Sequence, residues 1–556
     1  MTSTTSKTKE SPHIVIVGAG IGGISTAIAL KKRLNYTNFT IYEKASSIGG
    51  TWRDNTYPGC GSDVPGHWYS LSTELNPYWS TYYVGHEEIL AYWERLWTKY
   101  ELGSHTKFNT TVQESIWDAD KQQYTIELES EGVDGSTTTT TNTKARSFVT
   151  AEILFFAVGA FSIPLYPKDI QGVENFRGPV WHSARWRHDI ELRDKRVGVI
   201  GNGCSGAQLI PEIAVDRTTQ IVNFCRTPQW YIPRLNVKYS PWIKWMFAHV
   251  PFLLRWYRNS IMIRSDLIYL AFRKKTAPWF RAVFTDYMKH KIPKAQLERM
   301  TPKFSPGCKR MIVDPGYLKS LKQENVDVRW DTIEGVEQDG IRLQTGELVP
   351  LDVLIFATGF SVNSMDLKVK GSKGLTTKEY WDSQGGPTGY VGTCMPGFPN
   401  LFTVMGPNTA TGHASIIFTQ EAQIEYALHL VKPVVKGYAK SFEVKAGACE
   451  KYNSWLQKRL ESSVWTECDS YYQWGRNNRT KIFGNFPGPV SLFWWLTRSA
   501  RWEDFESVEA EAWARRRRLG MAIGTGLLLA LDSPLEATVK RVLESVLGLF
   551  GIVHVQ

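Results

Sequence analysis

The pattern of apolar and polar positions changes abruptly at His13. A polar leader, MTSTTSKTKESPH, gives way to HIVIVGAGIGGISTAIALKKRL, in which a short β-branched run meets a glycine turn and then apolar residues at helical spacing. This predicts a strand feeding a helix, and FTIYEK predicts the next strand. The same succession returns at KRVGVIGNGCSGAQLIPEIA. Two further apolar runs, AEILFFAVGAFSIP over 151–164 and DVLIFATGF over 352–360, end in small residues and mark points where the chain passes between domains. Residues 234–285 differ from all of these: they interleave Trp, Phe and Tyr with Arg and Lys and hold no acidic residue before Asp266. Such a segment reads as a helical cap over a site, and basic amphipathic helices also lie on bilayers. The apolar stretch LGMAIGTGLLLAL after ARRRR is too short to span a membrane and leaves peripheral contact open. The threonine run 137–141 predicts a hairpin loop, and the leader, without an apolar core, predicts a disordered segment and no signal peptide.

Composition narrows the class. A chain of 556 residues exceeds one hydrophobic core and should divide into two or three domains. Its net charge of +11 is spread too evenly for a nucleic-acid stripe and suits anionic ligands, nucleotide phosphates among them, or a negative membrane surface. The 7 cysteines are scattered, odd in number and form no C-x-x-C pair. This predicts reduced thiols in a cytoplasmic protein and argues against a disulfide framework or a zinc ribbon.

The glycines carry the first chemistry. Gly18, Gly20 and Gly23 form G-x-G-x-x-G between a strand and a helix: one glycine for the tight turn, one for backbone approach to a pyrophosphate, one for close helix–strand packing. Glu43 stands at the end of the following strand, where a carboxylate accepts hydrogen bonds from a ribose diol and repels a 2′-phosphate. The site therefore suits FAD or NAD. Gly201, Gly203 and Gly206 repeat the spacing, and the position equivalent to Glu43 is Arg226, followed by Thr227. A guanidinium beside a hydroxyl suits a 2′-phosphate. Two dinucleotide sites of opposite preference imply a flavin that receives hydride from NADPH. The predicted fold is α/β with two dinucleotide-binding Rossmann-like domains, the NADP domain inserted in the FAD domain, and a helical cap. The expected division is a leader over 1–12, the first part of the FAD domain over 13–160, the NADP domain over 161–345 with a helical insertion at about 234–300, the second part of the FAD domain and substrate pocket over 346–490, and a C-terminal extension over 491–556.

Two more motifs specify the chemistry. GGTWRDNTYPGCGSD, residues 49–63, fits [AG]-G-x-W-x-x-x-x-[FY]-P-G-x-x-x-D, and FRGPVWHSARW, residues 176–186, fits F-x-G-x-x-x-H-x-x-x-W. With the paired glycine loops, the chain from about His13 to Pro489 resembles the type I Baeyer–Villiger monooxygenases, single-chain flavoproteins that hold FAD and NADPH. Related N- and S-oxygenases usually carry Tyr or Phe where Trp186 stands.

The resemblance implies that an FAD-dependent, NADPH-consuming enzyme inserts one atom of O₂ beside a ketone carbonyl, giving an ester or lactone. His182 and Trp186 would couple nucleotide position to the flavin at a hinge between the domains. The oxygen species made at reduced flavin must stay anionic to attack a carbonyl, which requires a fixed cation nearby. FSPGCKRMIVD resembles the family segment that supplies it, making Arg310 the expected cation, with Asp63 orienting it and Lys309 joining Arg226 and Thr227 at the 2′-phosphate. FAD would contact Gly18, Gly20, Gly23, Glu43, Thr51, Trp52, Asp63, Tyr69, Val112 and Ile416. NADP would contact Gly61, Ser62, Asn202, Gly203, Cys204, Ser205, Gly206, Ala207 and Gln208. Where many members have Ser-Trp-Tyr near the substrate, this chain has DSYYQWG with Tyr471 at the Trp position, so substrate preference does not carry over. The aromatic cap suggests a bulky hydrophobic ketone of secondary metabolism.

Other classes fit less well. Heteroatom oxygenation by the same flavin chemistry is one alternative, and a non-oxygenating flavoprotein reductase is another, although the disulfide-reductase version would need a C-x-x-C. His67, His86, His182 and His413 are too widely spaced to suggest a metal. Ser205 belongs to a phosphate loop and not to G-x-S-x-G.

Overall fold

The computed structural model describes residues 11–131, 144–362, 367–475 and 481–519; the threonine run, most of the leader and all but the first residue of the apolar tail segment lie outside them. Two five-stranded sheets organise the chain. In the first, Ile14–Val17 lies between Phe39–Tyr42 and Ile153–Phe156, with Thr106–Lys107 and Leu401–Thr403 at the edges, and every pairing is parallel. In the second, Arg196–Ile200 lies between Gln220–Phe224 and Val353–Phe356, with Val326–Arg329 and Val180–His182 outermost, again all parallel. All four residues of Ile14–Val17, Ile153–Phe156 and Val353–Phe356 are buried, which explains why these runs are continuously apolar instead of alternating. Each glycine loop leaves the central strand of its sheet, where the order reverses and ligands of doubly wound sheets bind.

One expected boundary is corrected. Val353–Phe356 pairs with Val197–Ile200 inside the second sheet, and the chain rejoins the first sheet only at Leu401–Thr403. The division at 345/346 therefore falls within the second unit. A buried parallel strand has the same composition whichever sheet it joins, so the apolar run alone cannot reveal its partner.

The 234–300 insertion is helical, with Pro241–His249, Pro251–Ile268 and Ala277–Lys291 as its main helices. Each has proline in its first turn, where the missing N–H costs nothing. Arg258, buried, anchors this cap to the first unit: its guanidinium lies 4.7 Å from the Trp68 ring centre and 3.6 Å from the Glu421 carboxylate. After residue 490 the chain folds back, and Phe505–Val508 pairs antiparallel with Ser441–Val444.

The expectation of seven reduced thiols is also corrected. Cys308 and Cys468 form a disulfide, with Cα atoms 6.1 Å apart, while the other five cysteines are free. Spacing could not show this, because the two lie 160 residues apart on separate loops that only the tertiary fold brings together.

Candidate functional site

The first glycine loop is shaped for a pyrophosphate. Gly18 has φ +100°, and a Cβ there would lie 2.9 Å from the Ala157 carbonyl oxygen. A Cβ on Gly23 would lie 1.9 Å from the Gly18 oxygen, so this glycine lets helix Ile21–Leu34 sit directly on its strand. Gly20, by contrast, has nothing nearer than the Gly50 Cα at 3.7 Å, which leaves its backbone open at the helix N-terminus. Gly50 in turn delivers Thr51 and Trp52, and Trp52 meets Tyr69 edge to face at 5.6 Å. Glu43 is buried at the strand end, accepting hydrogen bonds from the N–H groups of Ala19 at 2.7 Å and Ala45 at 3.0 Å. A carboxylate fixed in this way retains acceptor capacity for a ribose diol. Val112 lies on strand Thr110–Asp118, whose first residue bonds to the Glu43 carbonyl, and Ile416 opens helix Ile416–Val435. These residues fit FAD.

The second loop repeats the geometry. A Cβ on Gly206 would lie 2.4 Å from the Gly201 oxygen, whereas Gly203 has no neighbour within 4 Å and caps the helix that Cys204, Ser205 and Ala207 begin. Asn202 donates its amide to the Thr227 carbonyl at 3.1 Å, tying the loop to the segment that carries Arg226. Arg226 is exposed, 3.6 Å from Asp169. Lys309 comes close enough for burial and then the Arg226 charge to lower its pKa. Two cations repelling one another are a receptor for an anion, and a 2′-phosphate is of the right charge. Gln208 turns toward the other unit: its amide donates to the Gly61 carbonyl at 3.0 Å and its oxygen accepts from Tyr57 at 2.8 Å. Gly59 passes so near that a Cβ would lie 2.5 Å from the Gln208 carbonyl oxygen. The 49–63 motif thus clamps the two nucleotide units together. Ser62 is fixed within the first unit, donating its N–H to the Val84 carbonyl at 3.0 Å.

Arg310 and Asp63, 247 residues apart, meet at this junction. Arg310 Nε donates to Asp63 Oδ2 at 3.0 Å, Nη2 donates to the same oxygen, and Nη1 donates to the Gly412 carbonyl at 3.2 Å. Burial disfavours the guanidinium charge, but Asp63, then Tyr472 and Tyr471, overcome it and hold the pKa well above the ordinary arginine value. The Cys204 thiol at the second loop senses both Asp63 and Arg310. Sequence motifs did not mark Gly412 or Phe161, whereas Tyr472 stands at the Tyr position of the Ser-Trp-Tyr segment. Tyr471 packs at a tilt against Tyr472, ring centres 4.4 Å apart, and meets Phe161 edge to face at 6.5 Å, so an aromatic wall stands beside the cation. The Cys308–Cys468 disulfide joins the loop of Arg310 to the loop of these tyrosines.

His182 ends its edge strand fully buried, and its Nδ1 accepts from the Ala184 N–H at 3.1 Å. Its ring contacts Tyr166 at 5.5 Å and Phe360 at 6.0 Å, residues of the two segments that cross between the sheets. Burial pushes its pKa down to about 4, which keeps it neutral near pH 7. Trp186 packs edge to face on Trp181 at 5.5 Å. Both residues belong to the crossing between the sheets. Among the described residues, no group of three or more His, Cys, Asp or Glu could hold a metal ion, and no helix is long and apolar enough to cross a membrane.

A family model described as flavin-binding monooxygenase-like matches residues 11–370, and the chain belongs to that family. Within it, the sequence is 34% identical over 466 residues to a Baeyer–Villiger monooxygenase of Pseudomonas aeruginosa, covering 83% of this chain and 85% of that one. It is 32% identical to a Baeyer–Villiger monooxygenase of Streptomyces coelicolor, covering 87% and 90%. An FAD-binding monooxygenase of Aspergillus niger is 32% identical, covering 88% and 81%. Among solved structures, an oxidised steroid monooxygenase bound to NADP superposes with a TM-score of 0.76 at 26% identity, covering 90% of this chain and 100% of that one. The protein is a Baeyer–Villiger-type flavin monooxygenase that uses FAD and NADPH.

Proposed function

We propose that this enzyme converts a bulky hydrophobic ketone to an ester or lactone, with Arg310 as the fixed cation of the reaction. The observation that carries this reading is the position of Arg310, held by Asp63 from the first nucleotide unit and by the Gly412 carbonyl, beside the start of the second nucleotide helix. FAD, once reduced by NADPH, supplies the activation of O₂. The residues described here do the rest. Glu43 and the Gly18–Gly23 loop hold the adenosine and pyrophosphate; Arg226, Thr227 and Lys309 hold the 2′-phosphate. Arg310 then offers donors to the negative charge that passes to the carbonyl oxygen of the substrate, and arginine keeps its own proton throughout. Asp63 orients that fork and limits its excess charge when no other anion is present. The aromatic wall of Phe161, Tyr471 and Tyr472, in which Phe161 and Tyr471 are partly exposed, offers a large apolar body a surface to pack on, and similarity to a steroid monooxygenase supports a polycyclic one.

The test is incubation of purified enzyme and NADPH with a panel of polycyclic ketones and, in parallel, with an aryl thioether. Ester or lactone from the ketones supports the proposal; sulfoxide with no ester from any ketone overturns it in favour of heteroatom oxygenation.

A further inference from the structure

The cap shows a surface that the chemistry above does not use. On helix Pro251–Ile268, Leu254, Arg258, Ile261 and Ser265 are buried. The opposite side should be polar in a helix facing water. Instead Phe252, Trp256, Ile263 and Leu267 are exposed by 73%, 61%, 58% and 61%. At about 100° per residue these four fall within an arc of roughly 60°, so they form one stripe along the outward face. The preceding helix adds Trp242 and Trp245, exposed by 66% and 55%. Tryptophan and aliphatic residues clustered outward are found where a protein meets a partner or a lipid interface, not where it meets water alone.

Charge decides between the possible occupants. From Arg234 to Arg281 the chain carries 10 Lys or Arg and a single acidic residue, Asp266. Asp266 is turned inward: its carboxylate accepts from the N–H groups of Val490 at 2.7 Å and Ser491 at 3.1 Å, and lies 3.3 Å from His413. Arg255 and Arg264, both exposed, flank the apolar stripe on either side. A second copy of the chain would set this basic rim against its own like charge, whereas anionic lipid headgroups complement it.

The stripe also leads to the site. Leu270 is its last exposed member, and two residues on, Phe272 packs so tightly on Gly307 and Gly412 that a Cβ on either would lie 2.6 or 2.5 Å from its ring. Gly412 is the residue whose carbonyl receives Arg310. We propose that the outward face of the cap, carried by Trp242, Trp245, Phe252, Trp256, Ile263 and Leu267, docks on an anionic phospholipid bilayer and brings the mouth of the Arg310 site to the membrane surface. The docking stands on its own observations; delivery of an apolar ketone from the bilayer rests on the function proposed above.

The test is co-sedimentation of full-length holoenzyme with phosphatidylcholine vesicles, with and without phosphatidylserine, for the parent, for Trp256→Glu combined with Ile263→Glu, and for Leu528→Asp in the apolar tail. Both cap positions are exposed, so the double variant should keep its flavin absorbance and its turnover of a small water-soluble ketone, which reports on oxygenation separately. The parent should sediment with the phosphatidylserine vesicles and weaken in high salt, and the cap variant should bind about tenfold less or worse. Equal binding by parent and cap variant, loss of binding only in Leu528→Asp, or no vesicle binding with a concentration-dependent dimer that the cap variant dissolves, would each overturn the proposal.

Discussion

Replacing Arg310 with alanine removes the cation to which the proposed function assigns the stabilisation of negative charge, a group held by Asp63 and by the Gly412 carbonyl. The side chain is 26% exposed and its partner Asp63 is 27% exposed, so their ion pair is partly screened, and the folding cost of losing it should be modest, about 1 kcal/mol. The cost to the reaction should be larger. Preorganised donors aimed at a developing oxyanion are worth about 2.7 to 4 kcal/mol each, a loss of roughly a hundredfold to a thousandfold in rate. The variant also exposes the site to an uncompensated Asp63, which adds repulsion in the same direction. Arg310→Ala combined with Asp63→Ala separates the two effects: it removes the stray carboxylate without restoring the cation. The assay is flavin content by absorbance, then ester formation per flavin from a ketone under NADPH and O₂. Both variants should bind FAD, and both should make ester at least about a hundredfold more slowly than the parent. Ester at the parent rate from Arg310→Ala would remove this residue from the mechanism and direct attention to Lys309.

Further outcomes follow from individual contacts. Arg226→Ala should lose about 1.5 to 3 kcal/mol of 2′-phosphate recognition; an unchanged ratio of kcat/KM for NADPH and NADH would contradict the assignment. Burial and then Arg226 lower the pKa of Lys309, and a bound phosphate should raise it again, so NADPH should bind with proton uptake and more weakly as pH rises into the alkaline range; calorimetry in two buffers of different ionisation enthalpy measures this, and Lys309→Gln should abolish the uptake. For His182 the unfolded value near 6.5 exceeds the folded value of about 4, so the unfolded chain takes up the proton first. Its contribution to stability is present above about pH 6.5 and is lost as pH falls toward about 4, a loss that denaturant titrations of His182→Gln should show to be smaller. Alkylation of unreduced, denatured protein should modify five cysteines and not seven, and Cys308→Ser should lower stability by about 2 to 4 kcal/mol.

Much of the fold was legible because buried parallel strands and glycine loops leave local marks. Gly18, Gly20 and Gly23, and their counterparts Gly201, Gly203 and Gly206, could be read with distinct backbone roles, and the opposed charges of Glu43 and Arg226 sit where the strand ends place them. The domain boundary failed for the converse reason: Val353–Phe356 is as apolar as any strand of the first sheet, and only its pairing shows that it belongs to the second. The disulfide was invisible because it joins loops that approach only through tertiary structure. Arg310 and Asp63 came from motif resemblance, not from spacing, and the support from Gly412 left no signal at all, since any residue offers a carbonyl. The outward apolar stripe of the cap was obscured in sequence because the buried face of the same helix is also partly apolar.

The most direct measurement is a reaction of the purified enzyme with NADPH, a polycyclic ketone and ¹⁸O₂, followed by mass analysis of the product. One heavy oxygen inserted between the carbonyl carbon and its neighbour is the predicted result, with loss of that product in Arg310→Ala. NADPH oxidation that yields only hydrogen peroxide or a product without heavy oxygen, across ketones that bind, would contradict it.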